Sequence, residues 1–180
     1  MSENSAKDQE RIVAFENELA ADPRSLAFVS LAEEHNRLGN FDEAVSVAQK
    51  GLVYHPDSVA GRLALAMAES GRNNVKQALE QLKRALLIDQ DNPKALAMMG
   101  RILLQKGLAK RAVQFLAVAV KLDPAEPEYA ELLKRAKKNA EDEAPPVFRA
   151  DAVKDSASPW SEESELSEDE TRRPLSLIHI

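Results

Sequence analysis

Residues 25–126 repeat one pattern of 34 residues three times without a gap. Apolar and small side chains return at fixed places in each copy. A period of this length is typical of helix pairs stacked side by side, each burying its apolar face against its neighbours. The repeating columns are Leu31/Leu65/Met99, Ala32/Ala66/Gly100, Ala44/Ala78/Ala112 and Gly51/Ala85/Ala119.

The small columns predict close helix crossings, because only Ala or Gly fits where two helices approach closely. Larger residues such as Leu31 and Leu82 should fill the space between neighbouring helices. Aromatic residues make up only 4% of the chain, so the core must be built from Ala, Leu and Val. Since one repeat cannot bury its apolar face alone, three repeats with capping helices are near the minimum for a stable array.

These spacings resemble those of the tetratricopeptide repeat family, including Pro56 and Pro124 at the ends of two copies. The resemblance implies an all-α fold, an α-solenoid of helix-turn-helix units that acts as a non-catalytic interaction scaffold. We expect the following organisation: an N-terminal segment and capping helix over 1–24, repeats over 25–58, 59–92 and 93–126, a C-terminal capping helix over 127–142, and a disordered acidic tail over 143–174.

Residues suited to turns and caps indicate where the helices begin and end. Gly39 and Asn73 stand between the helices of the first two repeats, and both residue types tolerate a positive φ. Ser58 is a plausible N-cap, as is Asn92, which precedes a proline at the first helical position. The helix expected from about Ala6 to Ala21 resembles the second helix of a missing repeat, so we interpret it as an N-terminal cap.

In this family the first helix of each pair lines a concave groove, so the resemblance implies a partner-binding surface there. Leu63 and Met67 would form its apolar centre, with positive charge nearby, which suits a peptide or helix that has an apolar anchor and acidic flanks. The alternative is that Leu63 and Met67 pack within the array. The predicted groove residues are Val29, Glu33, Asn36, Arg37, Ala60, Leu63, Met67, Ser70, Lys94, Ala97, Arg101, Leu104 and Gln105.

Some family members hold the C-terminal carboxylate of cytosolic chaperones with Lys, Asn and Arg side chains on these helices. Lys94 fits one of those positions, whereas the residues at four other clamp positions are of a different type. The departures are Val29, Glu33, Ala64 and Met98. A carboxylate-clamp co-chaperone is therefore not expected.

No catalytic, cofactor or metal site is predicted. The chain has no cysteine, and its three histidines are too dispersed to form a ligand pair. Glu33, Glu34 and His35 are adjacent, but no second His follows within one turn, and His35 stands where the family has a packing residue. We therefore expect the protein not to be an enzyme.

Charge and hydropathy limit the classes of partner that the chain is expected to bind. Residues 1–139 hold 19 acidic and 20 basic residues, which is not the basic excess that a phosphate backbone requires, so an RNA-binding helical repeat is disfavoured. The polar N-terminus and the lack of any 18-residue apolar stretch predict a cytoplasmic protein that does not bind membranes. The expected partner is a protein or peptide.

Residues 140–174 differ in composition from the repeats that precede them. Residues 140–174 hold 11 acidic and 4 basic residues, so this segment could compete weakly for the groove, with Trp160 as its anchor. Trp160 is either a linear binding motif or of no consequence.

Residues 175–180 resemble one frame of a sequencing adapter and are expected to be an artefact, or else a docking peptide. If they are an artefact, the array could be the docking or regulatory part of a longer enzyme or secretion or assembly component.

Overall fold

The computed structural model describes residues 3–142, which form eight α-helices and no strand. The all-α solenoid expected from the repeat is confirmed, whereas the predicted tail and residues 175–180 lie outside the described residues. The helices are α1 (Glu3–Ala21), α2 (Ala27–Leu38), α3 (Phe41–Tyr54), α4 (Val59–Gly71), α5 (Val75–Ile88), α6 (Pro93–Gln105), α7 (Ala109–Leu122) and α8 (Pro127–Asp142).

The helices stack in consecutive pairs. Helices α2 and α3, α4 and α5, and α6 and α7 pack closely within each pair, and the second helix of one pair contacts the first helix of the next. Helix α1 contacts α2 as α3 contacts α4, so it packs like the second helix of a preceding pair. Helix α8 contacts both α6 and α7 and extends the stack at the other end.

The turn chemistry predicted at the helix ends is confirmed. Gly39 and Asn73 have φ values of 79° and 62°, in the left-handed region. The Ser58 hydroxyl accepts a hydrogen bond from the backbone N–H of Gly61 at 3.1 Å. Asn92 caps α6 in the same way. These side chains satisfy backbone donors that a helix start leaves without an intrahelical partner.

The predicted close crossings are also confirmed. Ala44, Ala78 and Ala112 are fully buried. A Cβ atom added to Gly100 of α6 would lie 2.5 Å from the Cγ atom of Leu116 of α7. Even an alanine at Gly100 would therefore require the Leu116 side chain to shift. Side chains larger than Ala would be overpacked at the fully buried alanines.

Phe28 of α2 organises the packing of the first repeat. Its ring is almost completely buried and stacks on the His55 ring with 5.8 Å between the ring centroids. Added Cβ atoms at Gly51 and Gly61 would lie 2.1 and 2.7 Å from Phe28 atoms. The two glycines are therefore needed because a large ring fills the space that their side chains would take.

Candidate partner-binding surface

A salt bridge shows the shape of the surface formed by the first helices of the three pairs. Lys94 of α6 lies with its Nζ atom 3.3 Å from Oε1 of Glu33 of α2, although α4 stands between these helices in the stack. Side chains from helices separated by a third helix meet only if the face they share is concave. The array therefore has a concave face lined by α2, α4 and α6.

Nine of the thirteen predicted groove residues keep solvent access on these helices. We call this set the inner face. Met67 is 43% exposed and is the large apolar side chain at its centre. The inner face comprises Val29, Glu33, Arg37, Ala60, Met67, Ser70, Lys94, Arg101 and Gln105.

The expectation that Leu63 faces the groove water is wrong. Its side chain is only 5% exposed, and it belongs to the same buried cluster as Leu96 and Ala97 of α6. Ala97 and Leu104 of the predicted groove are buried in that cluster too. This flank of α4 is used to join neighbouring repeats, so a partner cannot reach Leu63 in the folded array.

Asn36, also predicted to line the groove, is buried and links two helices. Its Nδ2 group donates a hydrogen bond to the backbone carbonyl of Ala64 at 2.8 Å. The bond joins α2 to α4, and it supplies a partner for a polar group that burial removes from water. The structure thus gives Asn36 a role in holding repeats together.

The predicted cations of the inner face are all paired with carboxylates. Lys94 pairs with Glu33, and Arg101 pairs with Glu128 of α8. Arg37 pairs with Glu34 and with Asp8 of α1. The hydrogen bond to Glu34 is the main cause of a raised pKa of the Arg37 guanidinium. The inner face therefore presents matched charges rather than a positive patch.

Sequence reasoning missed the carboxylates that complete these pairs. Glu34 is buried and contacts both Arg11 of α1 and Arg37, so it fixes the cap to the first repeat. Glu128 was missed as well, although the columns of the repeat indicate its role. Glu128 occupies the same column as Lys94, and Arg101 occupies the same column as Glu33. Opposite charges in these two columns could have predicted both pairs.

Other types of site have no support in the described part of the chain. Residues 3–142 contain no group of three or more His, Cys, Asp or Glu side chains placed to hold a metal ion. Of the helices in that range, none combines the length and apolar character needed to cross a membrane.

Comparison with known proteins decides the family. A model of the tetratricopeptide repeat matches residues 35–98 and 70–136, which together make up more than half of the chain. The chain belongs to the tetratricopeptide repeat family. No curated protein matches this tetratricopeptide repeat protein.

Solved structures with the same fold include other tetratricopeptide repeat proteins. MamA is 17% identical, with a TM-score of 0.60, and the match covers 77% of this chain and 92% of MamA. The first such domain of Spaghetti (RPAP3), bound to the HSP90 peptide SRMEEVD, is 17% identical, with a TM-score of 0.61 and coverage of 66% and 94%.

A third structure is the Yersinia enterocolitica type III secretion chaperone SycD in complex with a peptide of the translocator YopD. It is 24% identical, with a TM-score of 0.54, and the match covers 64% of this chain and 88% of SycD. At these identities the likeness shows a shared fold.

Proposed function

We propose that this tetratricopeptide repeat protein is a non-catalytic scaffold whose inner face binds a peptide or helix of a partner protein. The observation that carries the proposal is the concavity shown by the Glu33–Lys94 salt bridge across α4. A concave surface can surround a segment that a flat or convex one would only touch. Peptide-bound structures of the same fold, RPAP3 and SycD, support this use.

Met67 is the proposed apolar anchor of the surface. Its side chain is exposed, flexible and polarisable, which suits contact with apolar side chains of varied shape. Ser70, three residues further along the same helix, is small and partly exposed. A partner should therefore place one large apolar side chain over α4 and polar groups over α2 and α6.

The paired cations argue for a partner that carries both charges. An acidic residue that bound Lys94 would have to displace Glu33, whose carboxylate would then need a new cation. A partner with an acidic and a basic side chain can exchange both ions, whereas a purely acidic partner leaves Glu33 without one. The departures from the chaperone clamp at Val29, Glu33, Ala64 and Met98 likewise disfavour an acidic chain terminus.

Affinity capture with matched variants tests the proposal. The full chain serves as bait, and proteins retained by the parent are compared with those retained by Met67→Gln and Ile88→Gln. Met67 and Ile88 are both 43% exposed, but Ile88 lies at the end of α5, outside the inner face. We expect Met67→Gln to lose partners that Ile88→Gln keeps. Equal retention by both variants would contradict binding on the inner face.

A further inference from the structure

A cavity opens on the part of the array away from the inner face. It lies between α1 and α3, has a volume of about 540 Å³, and shares no lining residue with the inner face. Leu19 and Pro23 contribute one wall, Val47 contributes another, and Phe28 of α2 lies at its base. Cavities of this size with mainly apolar walls are typical of binding sites.

The repeat pattern explains why this gap is open. Val47 shares its column with Gln81 and Phe115 of the later repeats. Phe115 packs against the large core. Gln81 accepts a hydrogen bond from Arg62 at 3.2 Å, so a polar pair occupies the second gap. In the first gap the smaller Val47 leaves space that no side chain of residues 6–141 fills.

The rim of the cavity combines apolar and charged side chains. Val53 and Tyr54 at the end of α3 are 76% and 50% exposed. Glu16 on α1 and Lys50 on α3 also line the cavity, and both are exposed to solvent. One wall therefore carries an acid and the facing wall carries a base, with exposed apolar side chains beside an apolar cavity.

We propose that a second copy of this chain occupies the cavity in a symmetric dimer. In a two-fold interface, each contact between residues i and j occurs twice. An axis through this rim places Glu16 of one copy against Lys50 of the other, and the reciprocal pair forms at the same time. The exposed Tyr54 of each copy then supplies the apolar group that the other copy's cavity lacks.

The charge arrangement selects the second copy as the occupant. A rim with one acid and one base is complementary to itself after a two-fold rotation. The dimer would not use the side chains of the inner face, since the cavity and the inner face share no residue. Two peptide-binding surfaces in one particle would strengthen attachment to a partner with repeated motifs.

Charge reversal tests the dimer directly. The full chain is followed by sedimentation velocity over a range of concentrations, and we expect the sedimentation coefficient to rise towards that of a dimer. Glu16→Lys and Lys50→Glu each place like charges opposite each other at two points. Each should therefore raise the dimer Kd by about tenfold or more. Circular dichroism should confirm unchanged helicity, because both side chains are exposed.

The two variants provide a complementary control. A Glu16→Lys copy and a Lys50→Glu copy have opposite charges at both contacts, so mixing them should restore association. The double variant Glu16→Lys/Lys50→Glu should recover the dimer by itself. If mixing restores nothing, or if the variants associate like the parent, Glu16 and Lys50 do not meet across a dimer axis and the proposal is wrong.

Filling the cavity tests its apolar part. Val47→Phe introduces the residue that the third repeat already has in this column, and it should weaken association. Gln49→Phe adds the same ring on α3 outside the cavity lining and should leave association unchanged. A parent chain that stays monomeric at every concentration overturns the proposal. The same chain binding an apolar dye such as anilinonaphthalene sulfonate, with binding lost in Val47→Phe, would indicate a small apolar ligand instead.

Discussion

Lys94 of α6 pairs with Glu33 of α2 across the intervening helix α4, with 3.3 Å between Nζ and Oε1. Lys94 pairs with a residue two repeats away because the second repeat has no acidic residue at the corresponding position. Met67 occupies the column of Glu33 in that repeat and is uncharged. The pair therefore spans the centre of the inner face, where we propose that a partner segment binds.

Glu33→Gln should increase binding of an acidic peptide to the inner face. The substitution frees Lys94 from its partner and leaves one uncompensated positive charge beside Met67. A short synthetic peptide of Glu and Leu is a suitable probe, with affinity measured by fluorescence anisotropy. We expect tighter binding to the variant and a steeper loss of affinity as salt rises.

A second ion pair supplies the control for this substitution. Glu80 and Arg84 pair on α5, away from the inner face, with Nε and Oε1 2.8 Å apart. Glu80→Gln removes one negative charge, as Glu33→Gln does. A gain in peptide affinity that came from net charge alone should therefore be equal in the two variants. Both exposed pairs should change the free energy of unfolding by only about 0–1 kcal/mol. Equal peptide affinities would refute a local role for Lys94.

Truncations on α4 should separate its buried and exposed faces. Leu63→Ala and Leu65→Ala each remove a buried side chain and should cost about 2–5 kcal/mol of unfolding free energy. Met67→Ala should cost much less, since that side chain is 43% exposed. Chemical denaturation of the three variants measures the differences. A costly Met67→Ala beside a benign Leu63→Ala would mean that the faces of α4 are assigned wrongly.

The fold could be predicted because its signals are local and periodic. Small residues at Ala44, Ala78 and Ala112 repeat every 34 residues, and Gly39 and Asn73 mark the turn between the two helices of the first and second repeats. Each signal depends on neighbours within one repeat or on the next repeat. Stacking then follows, because every repeat buries the same face.

The candidate surface was less predictable because helix phase alone does not distinguish a concave face from an adjoining helix contact. Leu63 and Met67 are four residues apart on one side of α4, yet only Met67 reaches solvent. The difference depends on how closely α6 packs against that side. Ion pairs such as Arg37–Asp8 depend on the packing of α1, which precedes the three complete repeats.

Tyr129 on α8 should make the array sensitive to alkaline pH. Burial raises the pKa of its phenol, and the negative charge of Asp123 adds to the effect. A group whose pKa is raised by folding contributes stability that is complete below its unfolded pKa of about 10 and is lost as pH rises through the folded value. The melting temperature should therefore fall above about pH 10, and Tyr129→Phe should reduce that fall. An identical alkaline fall in the variant would exclude Tyr129 as its cause.

Gly51→Ala should destabilise the first repeat although alanine favours helices. The new Cβ would lie 2.1 Å from Phe28, so overpacking of about 1–3 kcal/mol should exceed the gain of about 0.5–1 kcal/mol in helix propensity. The third repeat has Leu96 and Ala119 in the columns of Phe28 and Gly51. The double variant Phe28→Leu/Gly51→Ala recreates that combination and should recover most of the loss.

The size of the recovery distinguishes direct contact from a general loss of stability. Residues in contact show coupling of about 0.5–3 kcal/mol in a double-mutant cycle, whereas distant sites add. Phe28→Leu combined with Gly100→Ala is the control, because the Cβ added at Gly100 meets Leu116 instead. We expect coupling in the Gly51 cycle and additivity in the Gly100 cycle, both measured by chemical denaturation. Additivity in both would mean that Phe28 can move away from Gly51, and that the glycine is not required by the ring.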